Sequence, residues 1–364
     1  MKSPKACSLP KYVLLVAILF VFLPVQILHG AEPPFYGGKT LRIITGFAAG
    51  GTIDLRARLI ARHLPQYISG NPGIMVQSMV GAGGMVAANY ALDIAKPDGL
   101  TLLHSPSGTV MNSLLTTADV RYDIRKVPFL WLGSDSWLTV VNAKTTGINK
   151  AGDILKSPAA LRVGGSGVTS VRSLRPKLAL ELLGVEHTWV TGYKGSSDLL
   201  LALEKGEIHI FEDPQDGYKA NIQPREKEGI AAVLWQTGIL TPDEKFNRSP
   251  LFPNLPTLDE IVPSNKKNGA RWEAWKAAVV PQSFQYLIAV APGVPEERIA
   301  ILSRGLEQMT RDAQFRAEFE KTLGEPPDVL FGEEANKVVQ DGLKKLFDSY
   351  QEGVRYLREL GAKK

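Results

Sequence analysis

The chain has 364 residues, 44% hydrophobic and 22% charged, an ordinary globular balance that excludes wholesale disorder and suggests two domains or one large one. Its formal charge of +5 arises from 42 Lys and Arg against 37 Asp and Glu, but Lys2, Lys5 and Lys11 hold three of those positive charges, leaving 39 against 37 beyond residue 31. That near-balance, without a Lys/Arg stripe interleaved with aromatics, argues against nucleic acid as a partner.

The three lysines precede an apolar run from Tyr12 to Leu23, then Pro24 and the small residues Gly30 and Ala31. Charge, apolar core and small residues in that order predict a secretory signal over residues 1–31 and an exported protein. His29 departs from the small residue preferred before a cut after Ala31, and the apolar run extends to Leu28, so an uncleaved anchor is the competing reading. Cys7, the single cysteine, lies ahead of the apolar core, so removal of the signal leaves neither a disulfide nor a thiol nucleophile. No later apolar stretch approaches the roughly 18 residues of a spanning helix.

Leu41–Thr45 reads as a buried strand and Gly46–Thr52 as a glycine-rich turn. The next helix carries Ile53, Ala57, Ile60, Ala61 and Leu64 on one face and Arg56, Arg58, Arg62 and His63 on the other. A strand over 74–80, a turn at Gly81-Ala82-Gly83-Gly84, a helix through Ala95 and a strand over 100–103 follow, the last ending at Ser105–Thr109. The pattern restarts with a strand over 161–163, a turn over 164–170 and a helix through Leu183. Strands over 187–190 and 208–211 enclose Tyr193-Lys194-Gly195-Ser196 and a helix over 198–205, and the second strand ends at Glu212-Asp213-Pro214. Residues 240–275 read as a polar connection and 284–290 as a strand returning to the first half. The remainder from Pro295 reads as helix, broken at 324–327 and near Gly332. Two halves with this grammar predict an α/β protein with two lobes, each a mostly parallel sheet flanked by helices, and a ligand cleft between them. The first lobe is expected over 32–136 plus 286–364 and the second over 137–285.

A strand followed by a Gly/Ser/Thr-rich turn and a helix recurs at 46–52, 81–84, 105–109 and 164–170. Such turns expose backbone N–H groups at the positive end of a helix dipole and collect at the carboxyl ends of strands, which suits a small anion. One such turn more often serves tight helix–strand packing; several across both lobes indicate a site. The sequence has no P-loop and no G-x-S-x-G, and 164–168 fails the latter at Val168. Gly165-Ser166-Gly167 lacks the third dinucleotide glycine, and the histidines lack metal spacing. Asp54 reads as a first-turn acid on the helix dipole or as a brace for the glycine turn, and Asp213 as a turn residue or an acceptor from a ligand amine or hydroxyl. His104, Trp131, Trp137, Trp189 and Trp235 read as core before ligand contacts.

Phe47-Ala48-Ala49-Gly50-Gly51-Thr52-Ile53-Asp54, Gly81-Ala82-Gly83-Gly84 and Pro97-Asp98-Gly99 resemble, in order and spacing, the exported solute-binding receptors of tripartite tricarboxylate transporters, the Bug or TctC type. Tyr193–Ser196, Leu255-Pro256-Thr257 and Ala291-Pro292-Gly293 extend the resemblance over roughly residues 36–360. It implies a periplasmic binding protein, without catalysis, cofactor or metal, that closes on a small organic carboxylate as a monomer and delivers it to a membrane permease. The resemblance assigns the proximal carboxylate to Phe47, Ala48, Ala49, Gly50, Gly51 and Thr52 with Ser105, Ser107, Gly108 and Thr109. It assigns the distal part of the ligand to Ser166, Gly167, Thr169, Ser170 and Asp213. Asp54, Gly81, Gly83, Gly84, Tyr193 and Gly195 are expected to support the site. Gln77-Ser78-Met79 in place of the family's Glu-Asn-Arg, and the stretches 214–230 and 240–275, depart from the pattern and leave the solute open. A ligand-sensing adaptor for a membrane sensor kinase, and a secreted enzyme acting on a carboxylate, are the competing readings.

Overall fold

The computed structural model describes residues 1, 3, 34–115, 119–157, 159–168, 170–241, 243–324 and 326–362. The expected signal, apart from residues 1 and 3, and Thr169 lie outside the described residues. Phe35–Lys364 form one compact unit built on two sheets.

The first sheet has β1 (Thr40–Thr45), β2 (Gly73–Ser78), β3 (Thr101–Pro106), β4 (Phe129–Gly133), β12 (Tyr286–Ala289) and β13 (Val329–Phe331), in the order β13-β4-β12-β3-β1-β2. Leu41, Ile43, Ile44 and Thr45 of β1 are buried, the near-continuous burial of a strand covered on both faces. The second sheet, in the order β7-β6-β8-β5-β9, has β5 (Trp137–Asn142), β6 (Leu161–Gly165), β7 (His187–Thr191), β8 (Ile210–Pro214) and β9 (Ala231–Gln236). Among the described strands, the parallel ladders are β1 with β2 and β3 and β6 with β7 and β8. The expectation of mostly parallel sheets is corrected to mixed ones. The chain passes from β4 to β5 in three residues and returns through β12, so β12 pairs antiparallel with β3 and β4, and β5 with β8 and β9.

Helices α1 (Thr52–His63), α2 (Met85–Asn89), α3 (Gly108–Leu115), α4 (Val171–Leu183) and α5 (Ser196–Glu204) follow strands in the expected way. Residues 240–275 are not a polar connection throughout: they hold the short hairpin of β10 (Ile239–Leu240) with β11 (Phe246–Asn247) and the start of α6 (Gly269–Val279). Trp272 and Trp275 of α6 are buried, so its apolar content belongs to the core. The C-terminal part holds α7 (Glu296–Arg311), α8 (Ala313–Leu323), α9 (Gly332–Lys344) and α10 (Gln351–Ala362). β13 occupies the expected break before Gly332; three residues are too short to carry a readable period.

One apolar core runs through both sheets, joining Ile44, Leu103 and Phe129 of the first to Val163 and Ile210 of the second through Leu178, Trp275 and Leu357. The last helix, α10, packs against α6, and Lys177 Nζ of α4 donates to Leu360 O at 3.4 Å. Among the described residues no helix is long and apolar enough to cross a membrane.

Candidate functional site

The carboxyl ends of β1, β3, β6 and β8 surround a cavity of about 170 Å3. Four helices begin in its wall: Gly51, Thr52 and Ile53 open α1, Gly108 opens α3, Ser170, Val171 and Arg172 open α4, and Gly195, Ser196, Ser197 and Asp198 open α5. Among the described residues, the N-cap residues Gly51, Ser170 and Gly195 give α1, α4 and α5 no side-chain cap. Helix starts leave several N–H groups without intrahelical acceptors at the positive end of the dipole.

The end of the cavity at the first sheet is built from backbone and small residues. Gly50 N and Arg58 Nε donate to Asp54 Oδ2 at 2.9 and 2.8 Å, so the carboxylate braces the turn from behind. Burial pushes the Asp54 carboxyl up, but the bonds from Arg58 and Gly50 outweigh it and hold the group below its ordinary value. A Cβ on Gly46 would lie 2.5 Å from Gly84 Cα, and Gly84 has φ +96° with its own Cβ direction facing Thr109 Oγ1 and the Phe47 ring. The first two turns therefore pack backbone to backbone, and the third meets them through the Thr109 side chain. Ser105 and Thr109 bond to each other through their hydroxyls, and Ser107 Oγ donates to Gln285 Oε1 at 2.9 Å.

The opposite wall is built from charged side chains. Arg172 is 15% exposed, with its guanidinium 4.8 Å from the Trp137 ring centroid, 3.2 Å from Ser196 Oγ and 3.5 Å from Asp213 Oδ1. Arg175, one turn on, stacks on the same indole at 4.3 Å and pairs with Glu212 at 2.7 Å, both side chains fully buried. Ser196 Oγ donates to Asp213 Oδ1 at 2.5 Å. Burial raises the Asp213 carboxyl to about 6, against the pull of Arg172 and the Ser196 hydroxyl. Burial likewise pushes Glu212 up and Arg175 down.

Of the residues expected at the ligand, Phe47, Ala48, Ala49, Gly51, Thr52, Gly108, Ser166 and Ser170 line the cavity, together with Gly83 and Gly195 from the expected support. Gly50, Ser105, Ser107, Thr109, Gly167 and Asp213 are not in its wall. Gly50 N is turned to Asp54, the hydroxyls of 105, 107 and 109 are engaged internally, Gly167 N donates to Ser173 Oγ at 3.3 Å, and Asp213 lies behind Ser196 and Arg172. Gly81, with φ +152°, and Tyr193 stand outside the wall. Thr169 lies outside the described residues.

Trp131, Trp137 and Trp235 are buried as the sequence suggests, and Trp137, at the sheet end and paired with Pro214, also lines the cavity. His104 lies in the core, fully buried, and burial lowers its imidazole to about 3. Sequence reasoning also missed Arg172, Lys194, Pro214, Gln285 and Tyr286. Arg172 carries a readable signal: a cation in the first turn of a helix opposes the dipole, so its place there needs another reason. Gln285 and Tyr286 enter from a strand nearly 180 residues after the turns they join, which no local pattern reports.

No protein-family model matches the sequence. The chain is 24% identical over 306 residues to a UPF0065 protein of Bordetella bronchiseptica, covering 81% of this chain and 80% of that one. It is also 24% identical over 260 residues to the protein BugT of Bordetella pertussis, covering 68% and 73%. Among solved structures, the periplasmic binding protein BugD matches with a TM-score of 0.65 at 21% identity, over 90% of this chain and 98% of that one. MatC of Rhodopseudomonas palustris with bound malate matches with a TM-score of 0.63 at 22% identity, over 89% and 99%. A TctC solute-binding protein from Polaromonas has a TM-score of 0.58 at 17% identity, over 90% and 100%. The chain is thus similar in sequence to UPF0065 and Bug proteins, and it shares the two-sheet α/β fold of the solved periplasmic binding proteins.

Proposed function

We propose that the protein is a periplasmic receptor that holds a small organic carboxylate in the cavity between the two sheets and hands it, unchanged, to a membrane permease. The observation that carries this reading is the convergence of four helix N-termini on one cavity, three of them without side-chain caps. An anion near one such terminus gains about 0.3–1 kcal/mol at an exposed site and more when partly buried. The first-sheet turns hold one carboxylate by backbone N–H groups, while Arg172 offers a fixed cation on the far wall. Malate in MatC and adipate in another R. palustris neighbour, with a TM-score of 0.65 at 21% identity, support the ligand class. That the relatives are solute-binding proteins supports capture without turnover. Only with both sheets around one ligand are both sets of groups satisfied, so binding favours the closed arrangement that a permease would read.

The test is native mass spectrometry and calorimetry on protein stripped of ligand by unfolding and refolding, titrated with malate, adipate, citrate and benzoate. One acid bound one-to-one and released unchanged is the expected result. No binding across the panel, or an acid returned chemically altered, overturns the proposal.

A further inference from the structure

We propose that Arg56 is a positioning residue: its ion pair with Asp216 clamps the second sheet to the helix that holds the carboxylate, and so sets how long the ligand stays. The inference rests on the receptor reading above. Arg56 lies one helical turn after Thr52 of the α1 terminus, yet its side chain is only 2% exposed. Its Nη2 lies 2.7 Å from Oδ2 of Asp216, whose side chain is fully buried. Asp216 comes two residues after Pro214, the last residue of β8 and part of the cavity wall. The pair therefore joins a first-sheet helix to the end of a second-sheet strand.

The same guanidinium stacks 3.4 Å from the centroid of the Tyr286 ring, which also lines the cavity. The Tyr286 hydroxyl donates to Asp135 Oδ2 at 2.9 Å, in the segment that carries the chain from β4 to β5. Gln215 N is held by Ser136 O of that segment at 3.1 Å, and Lys219 Nζ donates across to Gly324 O at 2.8 Å. One arginine thus bridges Tyr286 of the cavity wall and Asp216 just beyond β8, and Tyr286 links it to the crossover.

Stability alone does not account for such a pair. The desolvation of two buried charges largely cancels their attraction, and an apolar pair of similar volume often does as well. What an ion pair adds is register, because its directional bonds form in only one alignment of the two sheets. Breaking it should ease reopening of the loaded cavity more than it slows entry, since affinity changes at one site act mostly through release.

The experiment uses the full mature chain and whichever of malate, adipate, citrate and benzoate the wild type binds most tightly, with Arg56→Lys, Asp216→Asn and the double variant Arg56→Met/Asp216→Leu. Stopped flow gives entry and release rates, and melting without ligand gives stability. The double variant should melt close to wild type, bind about tenfold more weakly and release correspondingly faster, with entry changed less than about threefold. Arg56→Lys, which keeps the charge but loses the planar stack, should fall between. A double variant that folds and binds within about twofold of wild type overturns the proposal, and so does one that fails to fold, because the pair then serves stability. If the wild type binds none of the four acids, the carboxylate reading itself is what fails.

Discussion

The two ends of the cavity are made of different materials. At the first sheet, turns such as Gly46–Thr52 and Gly81–Gly84 offer backbone N–H groups and close-packed glycines, with their one nearby acid turned inward as a brace. At the second sheet, Arg172, Trp137, Ser196 and Asp213 form a stack of charged and aromatic side chains. A backbone cradle recognises any carboxylate and tolerates little sequence change, because every atom of it is shared with the fold. A side-chain wall can be altered one residue at a time without rebuilding the sheet. Under the proposed receptor function, the first end would serve general capture and the second selectivity.

The sharpest way to break that contrast is Gly84→Val. Its φ of +96° and the 3.0 Å approach to Thr109 Oγ1 leave no room for a branched side chain. Strain and overpacking of about 3 kcal/mol should lower the melting temperature and abolish binding of every acid alike, as calorimetry would show. A variant that still binds one acid of the panel would mean the cradle is not the common element.

Arg172→Met probes the other end. Removing the cation should weaken binding by about thirtyfold, or 2 kcal/mol, and more for an acid with two charged ends than for benzoate, while melting stays near that of the wild type. Equal losses for all ligands would assign Arg172 to general capture and erase the contrast.

Asp213→Asn gives the smallest expected effect and the most diagnostic one. Burial raises this carboxyl from 3.8 to about 6, so the folded protein holds its proton more tightly than the unfolded chain does. The group's contribution to stability is complete below the unfolded value near 4 and is lost as the pH climbs through about 6. An asparagine stays neutral throughout, so the variant should equal the wild type in urea melts near pH 4. It should exceed it above pH 6, by a fraction of the ceiling of about 3 kcal/mol that the full shift sets. A difference independent of pH would show that Asp213 ionises normally and that Arg172 is fully balanced.

The parallel strands and the turns that follow them were legible because each is a local signal: a short apolar run, then glycine, then helical spacing. Arg56 shows where legibility stops. Periodicity puts it on the polar face of α1 with Arg58 and Arg62, and Arg58 is indeed 55% exposed, but Arg56 is buried under Tyr286 against Asp216. The covering residues come 160 and 230 positions later, and no pattern within the helix reports them. Trp137 shows the same limit, since whether a buried tryptophan at a strand end also lines a cavity depends on what faces it.

By itself the sequence determined the α/β class and the glycine-rich turns that present N–H groups, because each depends on backbone freedom and spacing within about ten residues. Only the tertiary structure decided which turns share one cavity, that the sheets are mixed, and which arginine lines the cavity and which meets Asp216. Those are questions of long-range burial and pairing, and a buried charge is fixed by its partner across the fold rather than by its neighbours in the chain.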